Sequence, residues 1–459
     1  MAQKKKKKCA ASDGHGNLAN RKAKKSIVNT KKANLFITNT EKFNQISNGE
    51  EESTPKFNLS ICQHKKKKKN QICKGKSISH HMEIHQVTRI HFQEEIMMDI
   101  LRRLPVRSLL RFKCVSKFWK SLINDPYFRR THYIHNRDDQ NSQKLLTMER
   151  LFMKDEAFNF YTCSLSTLED KQKLDWPSSC KPNIARIFCS CDGLVLILVS
   201  SGGYYEELVL WNPSTRESIL LPHPEFPVRT CVCGLEYDAT SEDYKILAIN
   251  LNAADSFYTS IELLSLKSGS WRRIGYPTSI KPMPVCGFRD CGMDYLAFLH
   301  GAFHWLGLSR SGYYTTVSFN ISNEMYGEVP LLEQMFGVSP RYIIDHGVSV
   351  LRGMLCFYST HNHWTEGRIG TFKLWIMKDY GVRESWTKLI EIRDTNLFHS
   401  ARPKYMFADC EVLLQYKGKR CFNSKFTTSR GPFELCPKCN ITKRGMVYAE
   451  SFVSPNSLA

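Results

Sequence analysis

The chain shows two patterns of apolar positions, one with the period of a helix and one with the period of a strand. The helical pattern lies within residues 90–132. From Ile96 to Leu104 apolar residues follow the first one at offsets of four, five and eight, and from Val115 to Ile123 at offsets of three, four, seven and eight. Because an α-helix turns once every 3.6 residues, these offsets place each set on one helical face.

Three signals divide this region into separate helices. Pro105 follows the first apolar set, and the residue before a proline avoids the helical conformation. Ser108 and Ser116 are expected to be N-caps of the helices that follow. Asn124-Asp125-Pro126 is expected to end the set. The pattern therefore predicts a compact unit of three helices.

The strand pattern begins near residue 145 and continues almost to the end of the chain. Short apolar or alternating runs are separated there by turn residues, which is typical of β-strands joined by tight turns. Representative runs are GLVLILV, ELVLWNPSTRE, DYKILAINL, SIELLSLKSGSW, LAFLHGAFHWLGL, TVSFNISNE, LRGMLCFY, FKLWIMKDYG, SWTKLIEI and EVLLQYKGK.

A weak internal repeat relates four of these segments, each with a strand, a polar turn and a second strand. The matching positions, at spacings of 54, 54 and 56 residues, are Trp211, Ser265, Phe319 and Trp375. YTCSLSTLED and QYKGKRCFNSKF are degenerate first and last copies. A strand-rich repeat of roughly 50 residues is typical of kelch-like β-propeller blades. A β-sandwich with coincidental spacing is the alternative.

The net charge of +21 is concentrated near the N-terminus. Residues 1–90 carry +15 and residues 91–135 carry +5, which leaves +1 for the rest. The runs Lys4–Lys8 and Lys65–Lys69 lie in a segment with few clustered apolar residues, so we expect a disordered tail. Such a tail serves as a nuclear address, as a non-specific contact to nucleic acid, or as a solvated segment without a specific role.

The cysteines and the apolar runs indicate a cellular compartment. The chain has 17 Cys, and no apolar stretch follows the basic N-terminus. The longest apolar run, GLVLILV, is too short to cross a bilayer. We expect a soluble protein of the reducing cytoplasm or nucleus, in which most Cys are small buried hydrophobes. The pairs Cys189/Cys191 and Cys231/Cys233 each alternate along a predicted strand and should point into the core.

Candidate metal and catalytic motifs are weak. Cys436 and Cys439 have the spacing of zinc ligands, but a second close pair is missing beside Cys421 and Cys410. His361 and His363 are expected in an exposed loop. The sequence contains neither a phosphate-binding GxxxxGK[ST] loop nor a GxSxG elbow. We therefore expect no metal, no cofactor and no catalytic residues.

Residues 94–128, EEIMMDILRRLPVRSLLRFKCVSKFWKSLINDPYF, hold more large apolar surface than so short a segment can hide. This stretch resembles the F-box, the helical module that docks a substrate receptor onto the Skp-family linker of a cullin-RING ubiquitin ligase. One departure is Phe92-Gln93, where the family usually has Leu-Pro.

The resemblance implies a set of residues that face the linker or support its interface, namely Leu104, Pro105, Leu109, Leu110, Val115 and Trp119. For several of them, above all Val115 and Trp119, the alternative is a place in the core of the module itself. Basic residues would surround the apolar patch and meet an acidic partner surface: Arg102, Arg103, Arg107 and Arg111.

The β region carries a second resemblance. LVLWNPSTRE, GLEYDATSEDYKIL, IELLSLKSGSWRRI, GAFHWLG and YAESFVSPNSL are similar to the F-box-associated interaction domain of plant F-box proteins. The expected fold is mainly β, with a small all-α trihelical F-box followed by a kelch-like propeller. The expected domains are a disordered tail over 1–89, the F-box over 90–135 and the β domain over 136–455.

Together the resemblances imply a non-catalytic adaptor of an SCF-type ubiquitin ligase. The F-box would bind the Skp-family linker and through it cullin, and the β domain would capture an unknown protein substrate. No membrane partner is expected, and nucleic acid only through non-specific contacts of the tail.

The alternative is a nucleic-acid-binding protein with a basic helix-turn-helix and a lysine tail. It is disfavoured because the third helix is expected to present Phe118, Trp119, Leu122 and Ile123. A recognition helix needs polar side chains on its exposed face.

Overall fold

A computed structural model describes fifteen segments within the unit Phe92–Ala459. They are residues 94–151, 157–165, 171–177, 182–201, 205–250, 260–275, 280–282, 296–309, 313–336, 343–363, 369–395, 397, 400–417, 424–431 and 441–458. The tail predicted over 1–89 lies outside the described residues, as do Phe92-Gln93, Cys421, Cys436 and Cys439.

Four helices begin the described chain: α1 (Glu94–Arg102), α2 (Val106–Phe112), α3 (Lys117–Asn124) and α4 (Pro126–Asn136). The prediction that the set ends after three helices is wrong. The Asp125 carboxylate accepts a hydrogen bond from the Phe128 N–H at 2.9 Å. Pro126 occupies the first turn of α4, where no backbone N–H is needed. The residues taken as a stop therefore start a fourth helix.

The two predicted N-caps have different outcomes. Ser116 caps α3, because its hydroxyl oxygen accepts a hydrogen bond from the Trp119 N–H at 3.1 Å. Ser108 is not a cap. It lies inside α2, whose N-cap position is held by Pro105.

The rest of the described chain is almost entirely β. The strands are β1 (Gln143–Leu151), β2 (Asn159–Ser164), β3 (Gln172–Leu174), β4 (Ile184–Cys191), β5 (Leu194–Ser201), β6 (Tyr205–Asn212), β7 (Glu217–Leu221), β8 (Cys231–Asp238), β9 (Asp243–Asn250), β10 (Ile261–Ser265), β11 (Ser270–Ile274), β12 (Ile280–Pro282), β13 (Ala297–Leu299), β14 (Ala302–Ser309), β15 (Tyr314–Asn320), β16 (Tyr326–Pro330), β17 (Ile343–Leu351), β18 (Met354–His363), β19 (Ile369–Met377), β20 (Trp386–Asp394), β21 (Ser400–Met406), β22 (Val412–Lys417), β23 (Ser424–Thr428) and β24 (Ile441–Ala449).

These strands form six antiparallel sheets, which are the blades of a β-propeller. Blade 1 has the order β24-β1-β2-β3, blade 2 β4 to β7, blade 3 β8 to β11, blade 4 β12 to β16, blade 5 β17 to β20 and blade 6 β21 to β23. The inner strands of neighbouring blades lie side by side around the ring. Ring closure comes from β24, which pairs with β1 over its whole length.

The predicted repeat is confirmed by these blades. Its matching positions fall on the third strand from the centre of blades 2 to 5, namely β6, β10, β15 and β19. Inner hairpins repeat as well: Asp192-Gly193, His300-Gly301 and Arg352-Gly353 are two-residue turns in which both residues have positive φ. The spacing of about 54 residues therefore measures one blade.

The cores lie between neighbouring blades. The cluster between blades 2 and 3 includes Cys191, Cys231 and Cys233, with Cys189 packed against it, so the cysteine pairs fill core as predicted. None of the described helices is long and apolar enough to span a membrane.

Candidate protein-interaction site

The four helices share a small apolar core. Its buried members are Leu101, Val106, Leu109, Leu122, Ile123 and Phe128 from the helices, with Phe452 from the end of the chain. Five further side chains are partly buried against it: Met98, Leu104, Leu110, Phe118 and Trp119. This core uses only part of the apolar surface of the helices.

A second group of apolar side chains, on α1, on α2 and in the turn before α3, faces solvent. We call it the exposed apolar set, and it comprises Ile96, Ile100, Phe112 and Val115. Val115 is 67% exposed and Ile100 is 52% exposed. The Phe112 ring lies 5.8 Å from the ring of half-buried Trp119, which joins the exposed set to the core. Single exposed apolar residues are normal, so it is the presence of four on one short module that makes this set a candidate interaction surface.

The six predicted linker-facing residues occupy three environments. Pro105 and Val115 are exposed, whereas Leu104, Leu110 and Trp119 are half-buried. Leu109 is fully buried in the helical core. Of the two residues with a core alternative, Trp119 packs against the core, while Val115 does not enter it.

Three residues of the exposed apolar set were not among the predicted interface residues. Ile96, Ile100 and Phe112 were part of the apolar surplus, but their exposure depends on how the helices pack. The sequence signal that could have identified them is the excess of large apolar residues within residues 94–128.

Basic side chains lie on the same helices as the exposed apolar set. Arg103, Arg107 and Arg111 are exposed. Arg102 forms an ion pair with Asp99 at 2.8 Å on the same helix. Exposed positive side chains on this module favour a partner with an acidic surface.

The turn that carries Pro105 is held by α4. His132 Nε2 lies 2.8 Å from the Leu104 carbonyl oxygen, and only a protonated Nε2 can donate to a carbonyl. The Asn136 amide donates to the Arg102 carbonyl at 2.9 Å. Burial lowers the pKa of His132, which favours the neutral form of the ring. The helix that sequence reasoning missed thus fixes the turn between α1 and α2.

The expected face of α3 is wrong in part. Leu122 and Ile123 are buried, and the exposed residues of this helix are Lys117, Lys120 and Ser121. The apolar character of α3 therefore does not by itself argue against nucleic acid, and the two functions must be separated by experiment.

The inner strands enclose a cavity of about 190 Å³ at the centre of the propeller. Glu236 and Lys404 contribute charged groups to its lining. The Cys191 thiol donates to Glu236 Oε2 at 3.1 Å. Burial raises the pKa of this carboxyl to about 8. Ser190 and Ser349 also line the cavity.

Of the candidate metal ligands, the structure describes His361, His363 and Cys410, whereas Cys421, Cys436 and Cys439 lie outside the described residues. Among the described residues no group of three or more His, Cys, Asp or Glu side chains could hold a metal ion. The expectation of an exposed loop at His361 and His363 is wrong, because both belong to β18. His361 is buried, with Nε2 2.9 Å from Ser359 Oγ. Cys410 is exposed at the start of the β22 hairpin.

Comparisons with known proteins match both regions of the chain. The family described as F-box domain matches residues 91–131, and the family described as F-box associated beta propeller domain matches residues 145–422.

The chain is also similar to F-box proteins of Arabidopsis thaliana. An F-box/kelch-repeat protein is 26% identical over 388 residues, which cover 79% of this chain and 96% of that protein. The F-box protein CPR1 is 28% identical over 318 residues, which cover 65% of this chain and 72% of that protein. Among solved structures, TolB from Acinetobacter baumannii has a TM-score of 0.41 at 9% identity and covers 72% of each chain.

Proposed function

The chain belongs to the family of F-box proteins with an F-box-associated β-propeller, and from this premise we propose that it is a substrate-recognition adaptor of an SCF-type ubiquitin ligase. The F-box docks on a Skp-family linker and through it on cullin, and the propeller captures a target protein for ubiquitination. The compartment that suits this role is the cytoplasm or the nucleus.

The observation that carries this proposal is the exposed apolar set. Burying such side chains against partner helices contributes about 25 cal/mol per Å² of apolar area, before the costs of association. The predicted contacts are direct for Pro105 and Val115. Half-buried Leu104, Leu110 and Trp119 contact the linker through the side-chain atoms that remain exposed. Leu109, which is fully buried, acts by supporting the helices.

An adaptor of this kind needs no catalytic residue. It holds a target lysine near ubiquitin that a separate conjugating enzyme carries as a thioester. Proximity raises the effective concentration of the two groups and accelerates transfer. The proposal therefore assigns the chain a binding role and no chemical step.

We test the docking surface with Val115→Glu in the full-length chain. A carboxylate at this exposed position would have to be desolvated against the apolar surface of the linker. We expect the affinity for a Skp-family linker, measured by calorimetry, to fall by about tenfold or more, since interface anchors typically have effects of this size.

The matched control is Leu220→Glu. Leu220 is 65% exposed, close to the 67% of Val115, but it lies on the outer strand β7 of blade 2. This variant should bind the linker like the parent chain. Equal affinities for parent and Val115→Glu would contradict docking through the exposed apolar set.

A further inference from the structure

The end of the chain lies between the helices and the propeller, and its side chains alternate between the two. Ser451 and Phe452 are both buried. Phe452 enters the helical core, whereas Val453 and Leu458 pack against the core between blades 2 and 3. A segment of eight residues therefore contacts both parts of the molecule.

Phe452 is an integral member of the helical core. Among the described buried residues of that core, it alone comes from outside the four helices. Its ring lies 5.1 Å from the ring of His132 on α4, edge to face. The Lys113 ammonium lies 5.4 Å from the centre of the Phe452 ring. The propeller chain thus supplies part of the interior of the helical module.

Blade 2 holds the same segment from the other side. Asn212, which is fully buried, donates through Nδ2 to the carbonyl oxygens of Ser451 at 3.2 Å and of Val453 at 2.8 Å. The Ser451 hydroxyl donates to the Asp192 carbonyl. Gly193 leaves no room for a side chain, since an added Cβ would lie 2.3 Å from Ser451 Oγ.

The hairpin that holds Ser451 also contacts α4. The Tyr244 hydroxyl of blade 3 donates to Asp192 Oδ2 at 2.7 Å, while burial and the nearby Asp192 carboxylate raise the pKa of Tyr133 on α4. A second contact places the Arg130 guanidinium 5.9 Å from the centre of the Tyr237 ring. The hairpin, α4 and the C-terminal segment therefore meet at one joint.

We propose that Ser451–Leu458 is a positioning segment that fixes the orientation of the F-box on the propeller, with Phe452 and Asn212 as positioning residues. The inference deepens the proposed function and rests on it. A rigid joint holds a captured target at one distance from the ubiquitin-carrying subunit. A hinge would spread the target over many positions and lower its effective concentration.

The experiment measures the orientation directly in the full-length chain without any partner. Ketone-bearing amino acids replace the exposed residues Lys117 on α3 and Glu384 in blade 5. Each ketone is then coupled to a spin label that does not react with cysteine thiols. Pulsed electron resonance then gives the distribution of distances between the two labels. Hydrogen exchange of α2 and α3 reports separately whether the helical module stays folded.

Two matched pairs of variants isolate the segment. Gly193 and Gly353 occupy the same turn position with φ of 77° and 72°, but an added Cβ at Gly353 meets nothing within 4 Å. Asn212 and Asn320 both cap their turns through Oδ1, yet the segment lies only against Asn212. Alanine therefore adds the same positive-φ strain at both glycines and removes the same Oδ1 turn bond at both asparagines, but it disturbs the segment only at Gly193 and Asn212.

We expect Gly193→Ala and Asn212→Ala to broaden the distance distribution by about twofold or more, while Gly353→Ala and Asn320→Ala leave it unchanged. Exchange within α2 and α3 should stay like the parent, because none of these residues belongs to the helical core. Linker affinity should also stay within about twofold, since the exposed apolar set is untouched.

Two results would overturn the inference. One is an unchanged distance distribution in both Gly193→Ala and Asn212→Ala. The other is equal broadening in the control variants. Failure of the parent chain to bind the linker would contradict the proposed function instead, and it would leave the distance result as it stands.

Discussion

At the scale of single residues, the burial of a side chain decides whether its substitution changes folding or only linker binding. Leu109 and Val115 belong to the same apolar pattern, but Leu109 is 0% exposed and Val115 is 67% exposed. Replacing Leu109 by Ala leaves a cavity that costs about 2–5 kcal/mol, which can unfold a small module. Val115→Glu changes the surface alone. Linker binding should therefore be tested at Val115, because at Leu109 binding and folding change together.

Glu236 is a residue whose environment makes stability depend on pH. Burial raises the pKa of its carboxyl to about 8, so the folded chain keeps a proton that the unfolded chain loses near pH 4.5. Between these values the folded state binds more protons. The contribution of Glu236 to the free energy of unfolding is therefore largest at the acidic end and falls as pH rises.

We predict that Glu236→Gln flattens this dependence. An amide cannot ionise, and its oxygen can still accept the hydrogen bond from Cys191. Urea unfolding of parent and variant, measured between about pH 5 and about pH 8, should show a parent that loses stability more steeply with rising pH.

Glu391→Gln is the control for Glu236→Gln. Hydrogen bonds from Lys388 and Arg393 lower the pKa of Glu391 to about 2, so its contribution changes only below pH 4.5. Between about pH 5 and about pH 8, the free energy of unfolding of this variant should therefore fall with pH as steeply as that of the parent. If the free energy of unfolding falls equally steeply with pH in the parent and in Glu236→Gln, Glu236 is already ionised in the folded chain and the prediction is wrong.

At the scale of elements, α4 connects the helices to the propeller. Its His132 and Asn136 hold the turn before α2, and its Tyr133 lies near Asp192 of blade 2. Its formation depends on a local signal, the cap at Asp125. The helix should therefore weaken separately from its neighbours.

We predict that Asp125→Ala destabilises α4 by about 1 kcal/mol through loss of the N-cap. Amide exchange in the second half of α4 should speed up while exchange in α3 changes little. Ser116→Ala removes the cap of α3 and should show the reverse pattern. If both variants raise exchange in α3 and α4 equally, the two helices open as one unit and the separate role of α4 is contradicted.

At the scale of the whole molecule, local patterns predicted the blades but not the joint. Each blade repeats the same strand and turn chemistry, so Trp211, Phe319 and Trp375 fall in register along the sequence. Ring closure by β24 and the burial of Phe452 among helices more than 300 residues earlier depend on contacts that no local pattern encodes. The same limit applies to the docking site: the sequence showed an excess of apolar residues, but only packing divides it between core and surface.

The most direct test of the adaptor is the molar mass of the full-length chain mixed with a Skp-family linker, measured by light scattering on a sizing column at about 0.5 M salt. Salt at this level screens charge contacts but strengthens apolar ones. We expect a one-to-one complex that survives at this salt concentration. The absence of any complex, together with a duplex DNA complex that forms at low salt and dissociates at about 0.5 M, would rule out the adaptor and favour a nucleic-acid-binding protein.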